Sequence, residues 1–309
     1  MYFGGSNLES IEPVGSSVNI CCASDEKYAP YLAVSLFSLL KNADKSRFYD
    51  IIILHRSISP ENCEKILRIG EHFSCCSIRF VNVSERHDRV KDRTGTYITA
   101  ATNYRLFILG ELFAKYDRMI YLDCDTIVEG NIAELFDSDL GAKSIGAVEM
   151  AEARHFVVSK RAVFYENYPY NFTDYCRKIL GISFVERYFN AGVILFDLKR
   201  CRKLTSEERA VEILNSKKWI YNDQDTLNII FNCSVKMLDF KWNYTNNIEQ
   251  FSNSERQSVR ALYLDAPRAE PAIIHFISGK KPWSADVPLC EYYHTYERLL
   301  QEENYDVQR

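Results

Sequence analysis

What this 309-residue chain lacks narrows it first. It has ten cysteines but no Cys-x-x-Cys pair, which argues against a zinc ribbon or a thioredoxin-like redox motif. Cys21, Cys22 and Cys233 lie in apolar, strand-like runs, where a free thiol behaves as a small hydrophobe. A reducing cytoplasm is therefore the expected compartment. Positive charge is not in excess: 38 Lys and Arg stand against 42 Asp and Glu, a net of −4, so nothing recommends nucleic acid as a partner. The longest apolar run, Tyr31 to Leu40, contains two serines and covers about half of what a bilayer span needs. Residues 1–20 hold no basic segment followed by an apolar one, so no signal peptide is expected. Without one, the sequons at Asn171 and Asn243 carry no meaning. Internal repeats, low-complexity tracts and linkers are absent as well.

What is present is ordinary in bulk. An apolar content of 47% and a charged content of 26% suit a soluble globular protein. The length admits one large or two ordinary domains. With no linker, one is expected: a loose polar leader over 1–16, the main domain over 17–283, and a helical extension of it over 284–309. Val18 to Ala23 reads as a buried strand and Tyr28 to Lys41 as a helix. Ile51 to Leu54 is a second strand, followed by a helix with Ser59 as N-cap and Pro60 at its first position. Ile78 to Val83 is a third strand and Thr99 to Ala114 a helix. This alternation predicts right-handed βαβ units and a largely parallel sheet. Further on, strands are expected at Ser144–Val148, Ala191–Phe196, Val235–Leu238 and Pro271–Phe276, with helices near Asp174–Leu180, Glu207–Asn215 and Leu289–Gln301.

The most informative stretch is Arg118-Met-Ile-Tyr-Leu-Asp123-Cys124-Asp125-Thr126. An apolar strand ends in two carboxylates two residues apart, and residues i and i+2 of an extended chain point to one side. The C-terminal end of a strand is where open α/β sheets bind ligands. Paired carboxylates repel each other and any phosphate unless a divalent cation lies between. Two enzyme classes carry this signature: nucleotide-sugar glycosyltransferases, and Asp-x-Asp-x-Thr phosphohydrolases, whose pattern Thr126 also fits. The structural alternative is an Asp pair capping the following turn. A phosphohydrolase wants the motif near the start of its core and a later Gly-Asp-x-x-x-Asp; three strand–helix units precede it here and no such motif follows.

Other motifs favour the first class. Ala23-Ser24-Asp25-Glu26-Lys27-Tyr28 ends the first strand, and Tyr104-Arg105-Leu106 lies in the helix before the paired aspartates. Phe189-Asn190-Ala-Gly-Val, Asn222-Asp223-Gln224-Asp225 and His275-Phe-Ile-Ser278-Gly279-Lys-Lys281-Pro-Trp283 follow in order. Together these resemble the family 8 glycosyltransferases, the retaining group that includes bacterial lipooligosaccharide galactosyltransferases and glycogenin. The resemblance spans roughly Val18 to Trp283. It implies the GT-A fold, a Rossmann-like α/β/α sandwich around a single mixed, mostly parallel sheet.

By this resemblance, Asp123, Asp125 and His275 bind manganese, with magnesium as the alternative. Mixed oxygen and imidazole ligation suits manganese better. Ala23, Ser24, Asp25 and Tyr28 take the uracil of a UDP-sugar, Asp25 accepting from its ring NH and Tyr28 stacking. Arg105 serves the donor sugar side and Lys281 the diphosphate, with Ser278 and Gly279 at the phosphate-loop positions and Cys124 also among the donor-binding residues. Glu149, Asn190, Asp223 and Gln224 surround the transferred hexose. The implied reaction moves glucose or galactose from UDP-glucose or UDP-galactose to a glycan or glycolipid acceptor with retention. Gln224, a neutral amide, is a poor nucleophile, so front-face attack is favoured. The aromatic-rich segment Ala151–Ser183 is expected to shape the acceptor pocket.

Some positions depart from the pattern. Ser278 stands where relatives place glycine, Lys27 replaces the commoner asparagine, and Glu149 stands where some carry Asp. From Ser284 onward six acidic residues face two arginines, so electrostatic attachment to anionic lipid is unsupported; a peripheral place at the inner membrane face is the alternative to a free cytoplasmic one. Lys160, Arg161, Lys199, Arg200, Arg202 and Lys203 are expected to be solvated faces. A catalytically silent UDP-sugar or glycan-binding protein on the same fold is the rival reading.

Overall fold

The computed structural model describes residues 2–3, 10–91, 99–250 and 270–303. Strands β1 (Tyr2–Phe3), β2 (Val18–Ala23), β3 (Tyr49–His55), β4 (Cys76–Asn82), β5 (Arg118–Leu122), β7 (Ile145–Glu149), β10 (Phe189–Asp197) and β11 (Val235–Met237) form one sheet. Its order is β1-β4-β3-β2-β5-β10-β7-β11, and β10 alone runs antiparallel to its neighbours. A small second sheet joins β12 (Tyr244–Thr245), β13 (Ile273–His275) and β6 (Thr126–Val128), and β8 (Ala162–Tyr165) and β9 (Tyr168–Asn171) make a separate hairpin.

The near-continuous apolar character of β2 and β3 follows from burial on both faces. Val18, Ile20 and Cys22 pack into a core shared with the helices Ala29–Lys41, Pro60–Glu71 and Cys290–Glu302. Cys21 and Ala23 point the other way, into a core shared with Ala100–Leu109 and Glu207–Ser216. The result is the expected three-layer α/β/α sandwich. A third cluster, built around Phe172, Tyr175 and Tyr188, fills the segment between β7 and β10.

Two local expectations need correction. The stretch from Thr99 is wound as a 3-10 helix over Ala100–Leu109, with a second turn at Glu111–Phe113. Thr102 and Arg105 therefore fall on one edge, because residues i and i+3 eclipse in that geometry. Cys233 sits exposed in the turn after the helix Asn222–Phe231, outside any strand.

The sheet reverses direction of travel between β2 and β5: β3 and β4 lie beyond β2, whereas β10 and β7 lie beyond β5. The parallel ends of β2 and β5 thus open a crevice at a topological switch point. Both the Ala23–Tyr28 motif and the paired aspartates lie there.

Candidate active site

A cavity of about 350 Å³ opens at that crevice. Ala23, Ser24, Asp25 and Tyr28 line it, as do Asp123, Cys124 and Asp125, Asn190, Asp223 and Gln224, and His275, Ser278 and Lys281. Segments far apart in sequence are thereby brought together. Glu149 and Gly279 are not on this wall; Glu149 is engaged with Arg154 at 2.8 and 3.1 Å, and Gly279 lies exposed in the loop after β13.

The two aspartates converge through a turn. β5 ends at Leu122, and Asp123-Cys124-Asp125 bends into β6, so strand pleating is not what aligns the pair. Thr126 holds the bend, its hydroxyl donating to the Asp123 carbonyl at 2.8 Å. Each carboxylate has one oxygen tied to a neighbour and another turned toward His275. Asp123 Oδ1 accepts from Tyr121 Oη at 2.8 Å and Arg105 Nη2 at 2.9 Å, while Oδ2 lies 3.7 Å from His275 Nε2. Asp125 Oδ2 accepts from Lys281 Nζ at 2.6 Å, while Oδ1 lies 3.2 Å from the same imidazole nitrogen.

One ligand atom from each of Asp123, Asp125 and His275 falls within 4.8 Å of the others, a spacing suited to one divalent cation. The space around them depends on glycine. A Cβ on Gly192 would stand 2.1 Å from His275 Cε1 and 2.9 Å from Asp123 Oδ2. His275 Nδ1 meets Asn243 Oδ1 at 2.9 Å on the far side of the ring.

Electrostatics follow from burial and pairing. Burial alone would raise the Asp125 pKa, but Lys281 and His275 outweigh it and hold the carboxyl well below its ordinary value. Burial would likewise lower that of Arg105; Asp123 and Asp223 overcome this and raise it. Arg105 also donates to Ala191 O, lies over the Tyr121 ring, and pairs through Nε with Asp223 at 2.9 Å. Asp223 is pushed up to about 6, chiefly by burial. Burial also raises the pKa of Glu152, another carboxyl on the cavity wall.

At the other end, Asp25 Oδ1 accepts from the Tyr28 backbone N–H at 2.9 Å, the turn-starting role of an Asp before a helix. Tyr28 meets Trp283 edge-on at 5.8 Å, and Tyr31 stacks on Trp283 at 3.7 Å. Ser278 adopts φ of 111°, in the region that favours glycine, so serine keeps here the backbone conformation glycine would take easily. Asn190 Oδ1 accepts from Gly192 N–H at 2.8 Å, and Gln224 Oε1 from Ala191 N–H at 3.0 Å.

Sequence reasoning missed Thr102, Glu152, Tyr221 and Asn247 on the wall, and Asn243 behind it. Asn243 was visible only as a sequon. Thr102, three residues before Arg105, is recoverable once the 3-10 winding is known.

The family model of glycosyl transferase family 8 matches residues 19–286. The chain belongs to that family. It is a hexosyltransferase by that membership, and the phosphohydrolase alternative falls away. General stress protein A of Bacillus subtilis is 26% identical over 286 residues, covering 90% of this chain and 92% of that one. The lipopolysaccharide 1,3-galactosyltransferase of Salmonella typhimurium is 28% identical over 283 residues, 89% of this chain and 76% of its own. Among solved structures, galactosyltransferase LgtC in complex with donor and acceptor sugar analogues has a TM-score of 0.72 at 25% identity, covering 92% of this chain and 96% of that one. The bifunctional glycosyltransferase WbbM has a TM-score of 0.82 at 26% identity over 97% of this chain, which spans 53% of its length. The family 8 sandwich is thus the GT-A fold of these enzymes. No helix among the described residues is long and apolar enough to cross a membrane.

Proposed function

We propose that this family 8 enzyme moves glucose or galactose from a UDP-sugar to a glycan or glycolipid acceptor, with retention and with manganese. The observation that carries the reading is the convergence of Asp123, Asp125 and His275 on one cation-sized position at the wall of the cavity. Those three residues would hold the ion, and the oxygen and imidazole donor set fits manganese, with magnesium second. When bound, the cation supplies Lewis-acid stabilisation of the departing UDP.

The protein's own groups do the rest. Asp25 and Tyr28, with the Ala23 and Ser24 backbone, would receive the uracil, leaving Asp25 Oδ2 for its ring NH. Lys281 would turn toward the diphosphate, beside Cys124 and Ser278. Arg105 is committed to Asp123 and Asp223, so it would hold these two carboxylates in place and face the sugar only through them. Asn190, Asp223 and Gln224 would contact the hexose. Gln224 supports front-face attack as a neutral dipole, its amide already anchored to Ala191 N–H. Glu149, paired with Arg154, would act on sugar selection from behind the wall. The chain's similarity to lipopolysaccharide glucosyl- and galactosyltransferases supports a cell-surface glycan acceptor. A cytoplasmic enzyme, free or peripheral at the inner membrane face, fits such a donor.

The test is UDP release from UDP-glucose and UDP-galactose across a glycan panel, with manganese and with excess EDTA. Release with one of the two donors, abolished by EDTA, is expected. Full turnover in EDTA would sink the metal reading, and equal binding of CDP, ADP and UDP would sink the uridine assignment.

A further inference from the structure

We infer that Asn243 is a positioning residue that fixes the tautomer of His275, presenting the Nε2 lone pair to the cation position. The inference rests on the proposed cation site, and on hydrogen-bond roles that can be assigned outward from one backbone group.

A backbone N–H can only donate. Gly192 N–H meets Asn190 at 2.8 Å, so the Asn190 atom there is the carbonyl oxygen, Oδ1. The same oxygen meets the Asn243 side chain at 2.9 Å, so the Asn243 atom facing it is the amide nitrogen. Flipping that amide would set two acceptors against each other in a buried place. The remaining Asn243 atom is then the oxygen, which lies 2.9 Å from His275 Nδ1. Only a protonated Nδ1 bonds to it. In the neutral ring the lone pair is consequently on Nε2, 3.2 Å from Asp125 Oδ1 and 3.7 Å from Asp123 Oδ2.

Burial makes the assignment strict. Asn243 is 0% exposed, His275 4% and Asn190 8%, so water does not stand in readily for a lost partner. Gly192 anchors the relay at its start and also ties down a ligand, because its carbonyl accepts the Asp123 N–H at 2.8 Å. An outer partner that orients a metal-ligating imidazole in this way typically contributes about 10–100-fold in metal affinity.

The experiment has two arms. Two-bond ¹H–¹⁵N correlation spectra of the metal-free full chain report which nitrogen of His275 carries the proton. Loss of the free manganese signal in electron paramagnetic resonance, without UDP, reports metal affinity. The parent should show Nδ1–H. Asn243→Ala should shift the ring toward Nε2–H and weaken manganese about 10–100-fold. Asn243→Asp keeps an acceptor for Nδ1–H, although it sets a carboxylate oxygen against Asn190 Oδ1, and should keep Nδ1 protonated, so it carries the test if the alanine variant does not fold. A ring with Nδ1 unprotonated in the parent or in Asn243→Asp would overturn the inference, as would Nδ1–H with unchanged manganese affinity in a folded Asn243→Ala. If the parent shows Nδ1–H but binds no manganese, the relay stands and the cation reading falls.

Discussion

At the scale of single residues, Gly192 is the tightest point of the site. A methyl group there would overlap the His275 ring and crowd Asp123 Oδ2. Overpacking of this kind costs about 1–3 kcal/mol. Gly192→Ala should therefore lower the unfolding free energy by about that much and displace His275 from the cation position. Urea unfolding beside a manganese titration checks both; normal stability and normal affinity together would show that the ring has room to move. The sequence showed this glycine only as part of the Phe-Asn-Ala-Gly-Val motif. What demands it, the closeness of an imidazole 83 positions later, exists only after folding, and so does the partner that Asn243 finds in His275.

At the scale of elements, the helix Asn222–Phe231 is fastened to the segment before β10 through one carboxylate. Asp225 is 0% exposed and accepts from Tyr175 Oη and Tyr188 Oη at 2.6 Å each and from Tyr221 N–H at 2.8 Å. Burial outweighs these three donors and pushes its pKa up to about 6, from an ordinary 3.8. The folded state thus holds this proton more tightly than the unfolded chain does. The group's contribution to stability is fully present below about pH 4 and is lost as pH rises through about 6. Asp225→Asn removes this titration and sets an amide against two phenolic donors. The stability difference between parent and variant should shrink from pH 4 to pH 6 and level off above about 7. Denaturant titrations across that range test it, and a difference independent of pH would mean that Asp225 keeps an ordinary pKa. This segment was also the least legible. The strands β2 and β3 announced themselves by apolar runs, because both their faces are covered. The helix Ala151–Ser159 and the hairpin β8–β9 bury one face against a local aromatic cluster, so no clean period marks them, whereas the helix expected near Asp174–Leu180 is present, wound as a π-helix over Tyr175–Leu180. The 3-10 winding of Ala100–Leu109 escaped for a related reason: residues 103–109 are buried all round, which leaves no exposed stripe to betray the repeat.

At the scale of the whole molecule, segments from both halves of the chain meet at one crevice, so ligands that bridge them should stabilise the entire fold. Ligand at 100 times its dissociation constant adds about 2.7 kcal/mol to the native state. Manganese with UDP should raise the melting temperature by several degrees and EDTA should reverse it, as followed by differential scanning fluorimetry. No shift with both ligands at millimolar concentration would argue against a bridging site. The motif order made this convergence legible early. Its electrostatic balance was not, because Lys281 and Asp125 are separated by 156 positions and their contact, like that of Arg105 with Asp123, is a product of the fold.

The Lys281–Asp125 contact has a consequence for how the site would be loaded. The ammonium donates to Asp125 Oδ2 at 2.6 Å and to Phe276 O at 2.5 Å, so a metal ion at the proposed site would share the carboxylate with a tethered cation. A diphosphate bound as proposed would offer that ammonium another anion, and its departure would leave the full charge of Asp125 to the metal. Metal alone should therefore load poorly, and metal with nucleotide readily: an order of addition written into one side chain. Lys281→Ala should bind manganese several-fold more tightly than the parent in the absence of UDP, and UDP itself more weakly. Calorimetric titrations of each ligand, alone and after the other, measure the coupling directly. Unchanged manganese affinity in the variant would leave the order of loading to be set elsewhere. If the coupling holds, the enzyme takes up its ion chiefly with a donor at hand, and ions drawn from the surrounding pool without a nucleotide meet a carboxylate whose charge is already partly neutralised.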